Sequence, residues 1–213
     1  MVGRPTREAL VTDAWYPESD AYWVPTAEED AWPHRYGDLF QTPGNDAHGV
    51  PLADTVGTPW HAVMVLSPSC ELISKAKPTD TVEVARVLRL DSQDEAAAQR
   101  IITGWQEKDA VITVAFAHTV FLAPVPAHPK HDNPMFAHLK STRRVSVADL
   151  RDAGRIAALS HDARVSVIRR DLYYRYRWLV STAEVQAAEQ HRISTDPQSH
   201  RALWARKHGP SGP

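Results

Sequence analysis

Short apolar runs separated by turn residues fill the middle of the chain and predict a mainly β protein. The segment YGDLF at 36–40 predicts a short strand entered through a Gly-Asp turn. The near-continuous apolar run HAVMVLS at 61–67 predicts a central strand that is buried on both faces. Residues 41–60 are rich in Gly, Pro and Asp and show no regular period, so we expect a long loop there.

Three later segments also have the character of strands. TVEVARVLRL at 81–90 alternates in part between apolar and polar residues, and AVITVAFAHTVFLA at 110–123 is rich in β-branched and aromatic residues. MFAHLKSTRRVSV at 135–147 predicts a further strand. The prolines of PVPAHPKHDNP at 124–134 predict a loop between the last two.

Two segments have helical patterns. The first runs from about 92 to 107, where Ser92 can act as N-cap and Glu95 follows as in a capping box. The second is a long C-terminal helix capped by Ser160, whose apolar residues recur at intervals of three and four. The fold class predicted is therefore mainly β with helices: an SH3-like β-barrel with an inserted helix and a long C-terminal helix.

This pattern divides the chain into three parts. Residues 1–34 form an irregular acidic arm anchored by tryptophans, residues 35–182 hold the barrel and its helices, and residues 183–213 form the helix end and a flexible tail. No run approaches the roughly 18 apolar residues of a membrane span. With a single cysteine and no apolar leader segment, we expect a cytoplasmic protein without a disulfide framework.

Charge is unevenly distributed along the chain. Residues 1–60 contain three basic and ten acidic residues, whereas residues 140–180 contain ten basic and four acidic ones. Such a chain either folds its acidic end onto its basic end or presents a basic face to an anionic partner. Both alternatives remain open from the sequence.

The order of these motifs resembles the PemK/MazF toxin family of toxin–antitoxin systems. GDLF at 37–40 is similar to the family's opening strand, VMVLS at 63–67 to its second strand, and RRVSVADLRDAGRIAALS at 143–160 to the segment that leads into its last helix. The resemblance implies an SH3-like barrel, RNA as partner and ribonuclease activity in bacteria. The chain departs from the family at its catalytic Arg-Pro pair, where Pro59, Trp60 and His61 stand.

A looser resemblance concerns the only cysteine. Cys70-Glu71-Leu72 is similar to a Cys-Asp-Ile/Leu signature of an uncharacterised bacterial group, which implies a shared fold without a known activity. Nothing near Cys70 in the sequence lowers the pKa of its thiol, so we interpret it as a packed side chain; a Cys/His enzyme or metal site is the alternative.

Cleavage of RNA requires a base, an acid and a cation at the phosphate, and three residues are candidates for these roles: His61, Arg86 and His118. The two histidines can face a common groove, although His118 can equally be a polar residue on the solvent face of its strand. His128 and His131 have an HxxH spacing, but on a proline-rich loop without a third ligand we predict no metal site and no cofactor.

The basic C-terminal helix is the strongest candidate for a binding surface. Arginines there alternate with aromatic residues, a combination that suits phosphates and unpaired bases. The predicted nucleic-acid-binding residues are Arg143, Arg144, Arg169, Arg170, Tyr174 and Arg177. In the alternative function, the chain is a non-catalytic interaction or assembly module whose basic helix docks a protein partner, pairs with a second copy to form a homodimer, or contacts the acidic arm.

Overall fold

A computed structural model describes residues 16, 22–24, 36–67, 80–108, 111–126 and 128–176. In chain order its elements are β1 (Leu39–Phe40), β2 (Ala62–Val65), β3 (Thr81–Arg89), a 3-10 turn (Leu90–Ser92), α1 (Glu95–Thr103), β4 (Trp105–Lys108), β5 (Val111–Val114), β6 (Thr119–Leu122), β7 (Met135–Ser146), α2 (Val147–Ala153), β8 (Arg155–Ala157) and α3 (His161–Tyr176). No helix in these ranges is long and apolar enough to cross a membrane.

The main sheet has six antiparallel strands in the order β6-β7-β3-β2-β1-β8, and β4 and β5 form a separate hairpin. The prediction of a mainly β chain with helices is confirmed. The arm at 1–34, the tail at 183–213, Cys70 and Arg177 fall on residues outside the described ranges, apart from Tyr16 and residues 22–24.

Strand β2 confirms the prediction of a central strand buried on both faces. Successive side chains of a strand point to opposite faces of the sheet. Ala62 and Met64 join a larger core that also receives Val167 of α3, whereas Val63 and Val65 join a smaller core. The smaller core is completed by residues from β1, the following loop and α2: Phe40, Leu52, Trp60 and Leu150.

The GDLF motif begins β1 for a steric reason. Gly37 has a φ of 86°, a left-handed backbone conformation that residues with a Cβ rarely adopt. Its N–H donates to the carbonyl oxygen of Val65 at 2.8 Å. A Cβ at this position would overlap the side chain of Leu159. The glycine therefore allows the chain entering β1 to pack tightly against the segment before α3.

The predicted inserted helix is real but shorter than expected. Its N-cap is Asp94, which accepts a hydrogen bond from the N–H of Ala97 at 2.8 Å, so the prediction of Ser92 as N-cap is wrong. Ser92 lies in the 3-10 turn and donates to the carbonyl oxygen of Arg89 at 2.6 Å. The helix ends at Thr103 because Gly104, with a φ of 78°, adopts the left-handed C-cap conformation.

The strand predicted over 110–123 is divided in two. Residues 115–118 form a turn between β5 and β6, in which Phe116 has a φ of 40°. His118 therefore lies in a turn and not within a strand, contrary to the prediction. The long strand predicted at 135–147 is confirmed as β7.

The region predicted as an irregular loop contains a structural repeat. NDAHGVP at 45–51 and ADTVGTP at 53–59 place an Asp, a Gly and a Pro at equivalent positions eight residues apart. In each unit the Asp Oδ1 accepts from the N–H groups two and four residues later, Asp46 at 2.8 and 3.0 Å and Asp54 at 3.0 and 2.9 Å. Isolated bridges close both units, and we call residues 45–59 the tandem-turn loop.

Helix α3 begins as predicted, because the Ser160 hydroxyl accepts from the N–H of Ala163 at 3.2 Å. The prediction that its arginines form an exposed basic face is wrong for two of them. Arg169 is 1% exposed and Arg170 is fully buried. The guanidinium of Arg170 donates to four carbonyl oxygens, those of Gly104 (2.8 Å), Thr119 (2.9 Å), Phe116 (3.0 Å) and Ala115.

We expect Arg170→Ala to lower the free energy of unfolding by about 3–5 kcal/mol, because it removes a buried guanidinium that donates to four carbonyl oxygens from other elements. Chemical denaturation followed by circular dichroism measures the change. The control is Arg151→Ala on α2, an exposed position where we expect a change within about 0.5 kcal/mol. Equal stability of the two variants would contradict a structural role for the buried guanidinium.

Candidate functional site

Arg86 lies in the middle of the main sheet, on the face of the smaller core. It follows Val82 and Val84 on the same face of β3, and its backbone pairs with Val63 on one side and His138 on the other. Its Nη2 lies 3.6 Å from Asp54 Oδ2 of the tandem-turn loop. Its Nε is buried and has no hydrogen-bond partner among the described residues. The Nη2 of Arg86 is therefore weakly paired and its Nε is unused among the described residues. The Arg86 side chain is 22% exposed.

His138 lies beside this arginine, and His118 lies beside His138. Directly opposite residues of antiparallel strands share a face, so His138 on β7 is a neighbour of Arg86. The rings of His118 and His138 meet edge to face with centroids 4.9 Å apart. Ser141 Oγ lies 2.8 Å from His138 Nδ1 and fixes the orientation of that ring. We call Arg86, His118, His138 and Ser141 the Arg–His site.

Backbone contacts hold His118 in place. The carbonyl oxygen of His118 accepts from the N–H of Leu139 at 2.7 Å, which ties the turn at 115–118 to β7. The guanidinium of Arg170 also holds this turn, because it donates to the carbonyl oxygens of Ala115 and Phe116. A shift in the β3–β7 register between Ala85 and Arg86 brings His138 opposite Arg86. The register and the buried arginine together determine where the two rings meet.

Both histidines of the Arg–His site have a lowered pKa. Burial, reinforced by the nearby charges of His138, Lys140 and Arg170, lowers the pKa of His118 to about 4. Burial also lowers the pKa of His138, with Lys140 and Arg86 acting in the same direction. Near pH 7 the two imidazoles are neutral and offer lone pairs next to a permanent cation.

His61 lies in a different group of side chains. Its Nε2 is 2.9 Å from His131 Nδ1, and the His128 ring packs against that of His131 with centroids 4.5 Å apart. Burial lowers the pKa of His61, and it lowers the pKa of His131 to about 4. The predicted trio is thus brought together only in part, since Arg86 and His118 share His138 as neighbour and His61 contacts His131 instead.

His61, His128 and His131 do not form a metal site by themselves. Within the described ranges, no three or more His, Cys, Asp or Glu side chains are placed so that they could hold one metal ion. His131 is 1% exposed, and its Nε2 has no hydrogen-bond partner in the described part of the chain. The tight turn that pairs His131 N–H with the carbonyl oxygen of His128 at 2.9 Å explains why these two rings are adjacent.

The predicted nucleic-acid-binding residues are divided between surface and interior. Arg143 and Arg144 are exposed on β7, and Arg143 Nε lies 3.9 Å from Asp46 Oδ2. Arg169 and Arg170 are buried, and Tyr174 is partly buried against the larger core. Among the predicted nucleic-acid-binding arginines that the structure describes, the two on β7 are exposed and the two on α3 are buried.

Sequence reasoning missed His138 and Asp54, and it noted His131 only for its HxxH spacing with His128. His138 was inside a correctly predicted strand, but its contact with Arg86 depends on a strand register that no local pattern encodes. Asp54 was readable from the repeat with Asp46 at a spacing of eight residues. The guanidinium of Arg86, whose Nε has no partner in the described part of the chain, can bind an anion, and the neutral imidazole of His138 beside it can exchange a proton.

A scan of protein-family models and a search of curated proteins find no match to this chain.

We expect the melting temperature to fall as pH is lowered from about 6.5 to about 4. In the unfolded chain histidine has a pKa near 6.5, whereas His118 and His131 have folded pKa values of about 4, so the unfolded state binds more protons in this range. Calorimetry across this range should show a shallower pH dependence for His118→Gln and His131→Gln. The exposed His161→Gln is the control, and the idea is wrong if all three variants keep the wild-type slope.

Proposed function

We propose that this chain binds single-stranded RNA and that the Arg–His site contacts a phosphate. The observation that carries the proposal is the buried Nε of Arg86, which has no partner among the described residues and lies beside the neutral His138, whose ring contacts that of His118. Two oxygens of one phosphate accept hydrogen bonds from Nε and Nη2 of one guanidinium in a bidentate arrangement. Such a contact satisfies a donor whose burial otherwise costs about 1–3 kcal/mol.

The surrounding surface supports an extended anionic ligand. Arg143 and Arg144 are exposed on β7, the strand that also supplies His138. The basic surface of the proposal is therefore β7 and not the beginning of α3, where Arg169 and Arg170 are buried. This burial also weakens the rival function, in which the arginines of α3 form a docking surface for a protein partner.

We also propose a barrel fold similar to that of the PemK/MazF family. The motifs that resemble the PemK/MazF family correspond to β1, β2 and the β7–α2–β8 segment, which belong to one antiparallel sheet. We take this sheet to be that of an SH3-like barrel, and the register shift in the β3–β7 pair supports a bend of the kind that barrels need. A chain with one cysteine fits a cytoplasmic place of action.

Ribonuclease activity is the second candidate function, and the His118–His138 pair favours it. In this reaction the 2′-oxygen attacks the adjacent phosphorus, one imidazole takes the 2′-proton, and the bond from phosphorus to the 5′-oxygen breaks. The other ring, as imidazolium, gives its proton to the leaving 5′-oxygen, and Arg86 stabilises the charge on the phosphorane. The products are a 2′,3′-cyclic phosphate and a 5′-hydroxyl.

We expect the purified protein to bind a labelled ten-nucleotide RNA with an affinity that decreases as salt increases. Arg86→Gln should weaken binding at least tenfold, because a hydrogen bond between charged groups contributes about 1.5–3 kcal/mol. It should also lower the slope of log Kd against log salt by about 0.7, the value for one phosphate of a single strand. Fluorescence anisotropy at several salt concentrations measures both quantities.

The control for this experiment is Arg89→Gln, the same change of charge on the same strand. Arg89 lies three residues further along β3, on the opposite face from Arg86, and pairs with Asp91. We expect its RNA affinity to stay within about twofold of wild type. Absence of salt-dependent RNA binding, or equal losses in Arg86→Gln and Arg89→Gln, would refute the proposed function.

If the chain cleaves RNA, kcat/KM should be highest below pH 6.5. The pKa values of the free protein determine this profile, and both His118 and His138 have lowered pKa values, so the imidazolium needed as acid forms only in mild acid. His118→Gln and His138→Gln should each reduce kcat/KM about 10²- to 10⁴-fold. An RNA with a 2′-deoxynucleotide at the cleaved position is the control substrate, and its cleavage would rule out this chemistry.

A further inference from the structure

The two turns of the tandem-turn loop each place an Asp carboxylate next to an arginine of the main sheet, with the same arrangement of contacts. In each turn, the Asp Oδ1 accepts two backbone N–H groups, and the Oδ2 faces a guanidinium. Asp54 faces Arg86 and Asp46 faces Arg143. A repeated turn thus presents two carboxylates to two of the cations that the RNA-binding proposal uses.

We propose that Asp46 and Asp54 occupy two phosphate subsites, and that consecutive phosphates of one RNA strand displace both carboxylates when RNA binds. The inference rests on the proposed function and deepens it, since it specifies a strand with at least two phosphodiesters as the ligand. Arg86 forms the inner subsite beside the histidines. Arg143 forms the outer subsite.

Strand register places the two subsites on one face. Arg143 pairs directly with Val84, so the two residues share a face of the sheet. Val84 and Arg86 are two residues apart on β3, which places them on the same face about 7 Å apart along the strand. The subsites are therefore neighbours under one loop, and a single strand of RNA can span both.

The distances show that the carboxylates are held by the backbone more firmly than by the arginines. Oδ1 of Asp46 and of Asp54 accepts its backbone hydrogen bonds at 2.8–3.0 Å, whereas the distances from Oδ2 to the arginines are 3.9 Å for Arg143 and 3.6 Å for Arg86. A charge-assisted hydrogen bond is about 2.7–2.9 Å long. Neither arginine forms such a bond with its carboxylate.

The unused donor of Arg86 points to a ligand other than Asp54. Its Nε is buried without a partner in the described part of the chain, although a carboxylate lies within 4 Å of Nη2. The tandem-turn loop positions the guanidinium and leaves its hydrogen-bonding capacity incomplete. A phosphate can complete it, because its oxygens are not tied to the backbone of the loop.

The two carboxylates also lower the affinity for RNA. Each negative charge must separate from its arginine before a phosphate can take the same place, and both carboxylates repel the incoming strand. A ligand with one phosphate replaces only one carboxylate and is still repelled by the other. Longer strands are therefore bound in preference to mononucleotides.

The test compares Asp54→Asn, Asp46→Asn and the double variant with wild type, using the labelled ten-nucleotide RNA at low salt. Asparagine keeps Oδ1 as acceptor for the turn and replaces the charged Oδ2 by a neutral NH2 group. We expect each single variant to bind RNA roughly two- to fivefold more tightly, the range that corresponds to one weak ion pair, and the double variant to show about the product of the two. A melting curve for each variant checks that the turns are intact.

Asp91→Asn is the matched control, because it too removes one negative charge and releases an arginine of β3, Arg89. Tighter binding by Asp54→Asn and Asp46→Asn than by Asp91→Asn supports the two subsites. Equal or weaker binding overturns the inference, and the proposed function still stands if wild type binds RNA and Arg86→Gln does not. If no variant and no wild-type protein binds RNA, the proposed function fails and the inference fails with it.

Discussion

The buried guanidinium of Arg170 is the interaction on which the arrangement of the site depends. Its donors reach the carbonyl oxygens of Gly104 at the end of α1, of Ala115 and Phe116 in the turn before β6, and of Thr119 at the start of β6. Helix ends leave carbonyl groups without intrahelical donors, and these carry the negative end of the helix dipole. Arg170 therefore joins α3, α1 and β6 at one point. The turn that carries His118 is fixed by the same bonds, so the geometry of the Arg–His site depends on a residue of α3 that does not belong to that site.

Ion pairs within the chain account for part of its uneven charge. Three acidic residues of the first sixty contact arginines that are distant in sequence: Asp38 with Arg155, Asp46 with Arg143 and Asp54 with Arg86. Asp38 is fully buried, and its Oδ2 lies 3.4 Å from Arg155 Nη1, so this pair belongs to the core. The pairs of the tandem-turn loop are longer and more accessible. The buried Asp38–Arg155 pair thus stabilises the fold, whereas the pairs of the tandem-turn loop are those that we propose a phosphate displaces.

Local pattern predicted most strands, the presence of the inserted helix and the start of α3, and it failed where distant residues decide the structure. The apolar run of β2, the alternation of β3 and the Ser160 cap are readable from neighbours in sequence. The burial of Arg170 is not, because the predicted apolar stripe of α3 left it on the polar side and only carbonyls from other elements make its burial favourable. The pairing of His138 with Arg86 depends on a register shift for the same reason. The repeat of Asp46 and Asp54 was visible in the sequence and became meaningful only with the arginines they face.

The chemistry of the Arg–His site depends on what approaches it. In the protein alone, burial and neighbouring cations keep His118 and His138 neutral at pH 7. An anion beside Arg86 acts in the opposite direction, since a nearby negative charge favours the imidazolium form and raises the pKa of both rings. In the proposed complex, the phosphate bound to Arg86 supplies that negative charge. Its effect on the pKa would favour the imidazolium form of His138, which is the proton donor that the ribonuclease hypothesis requires.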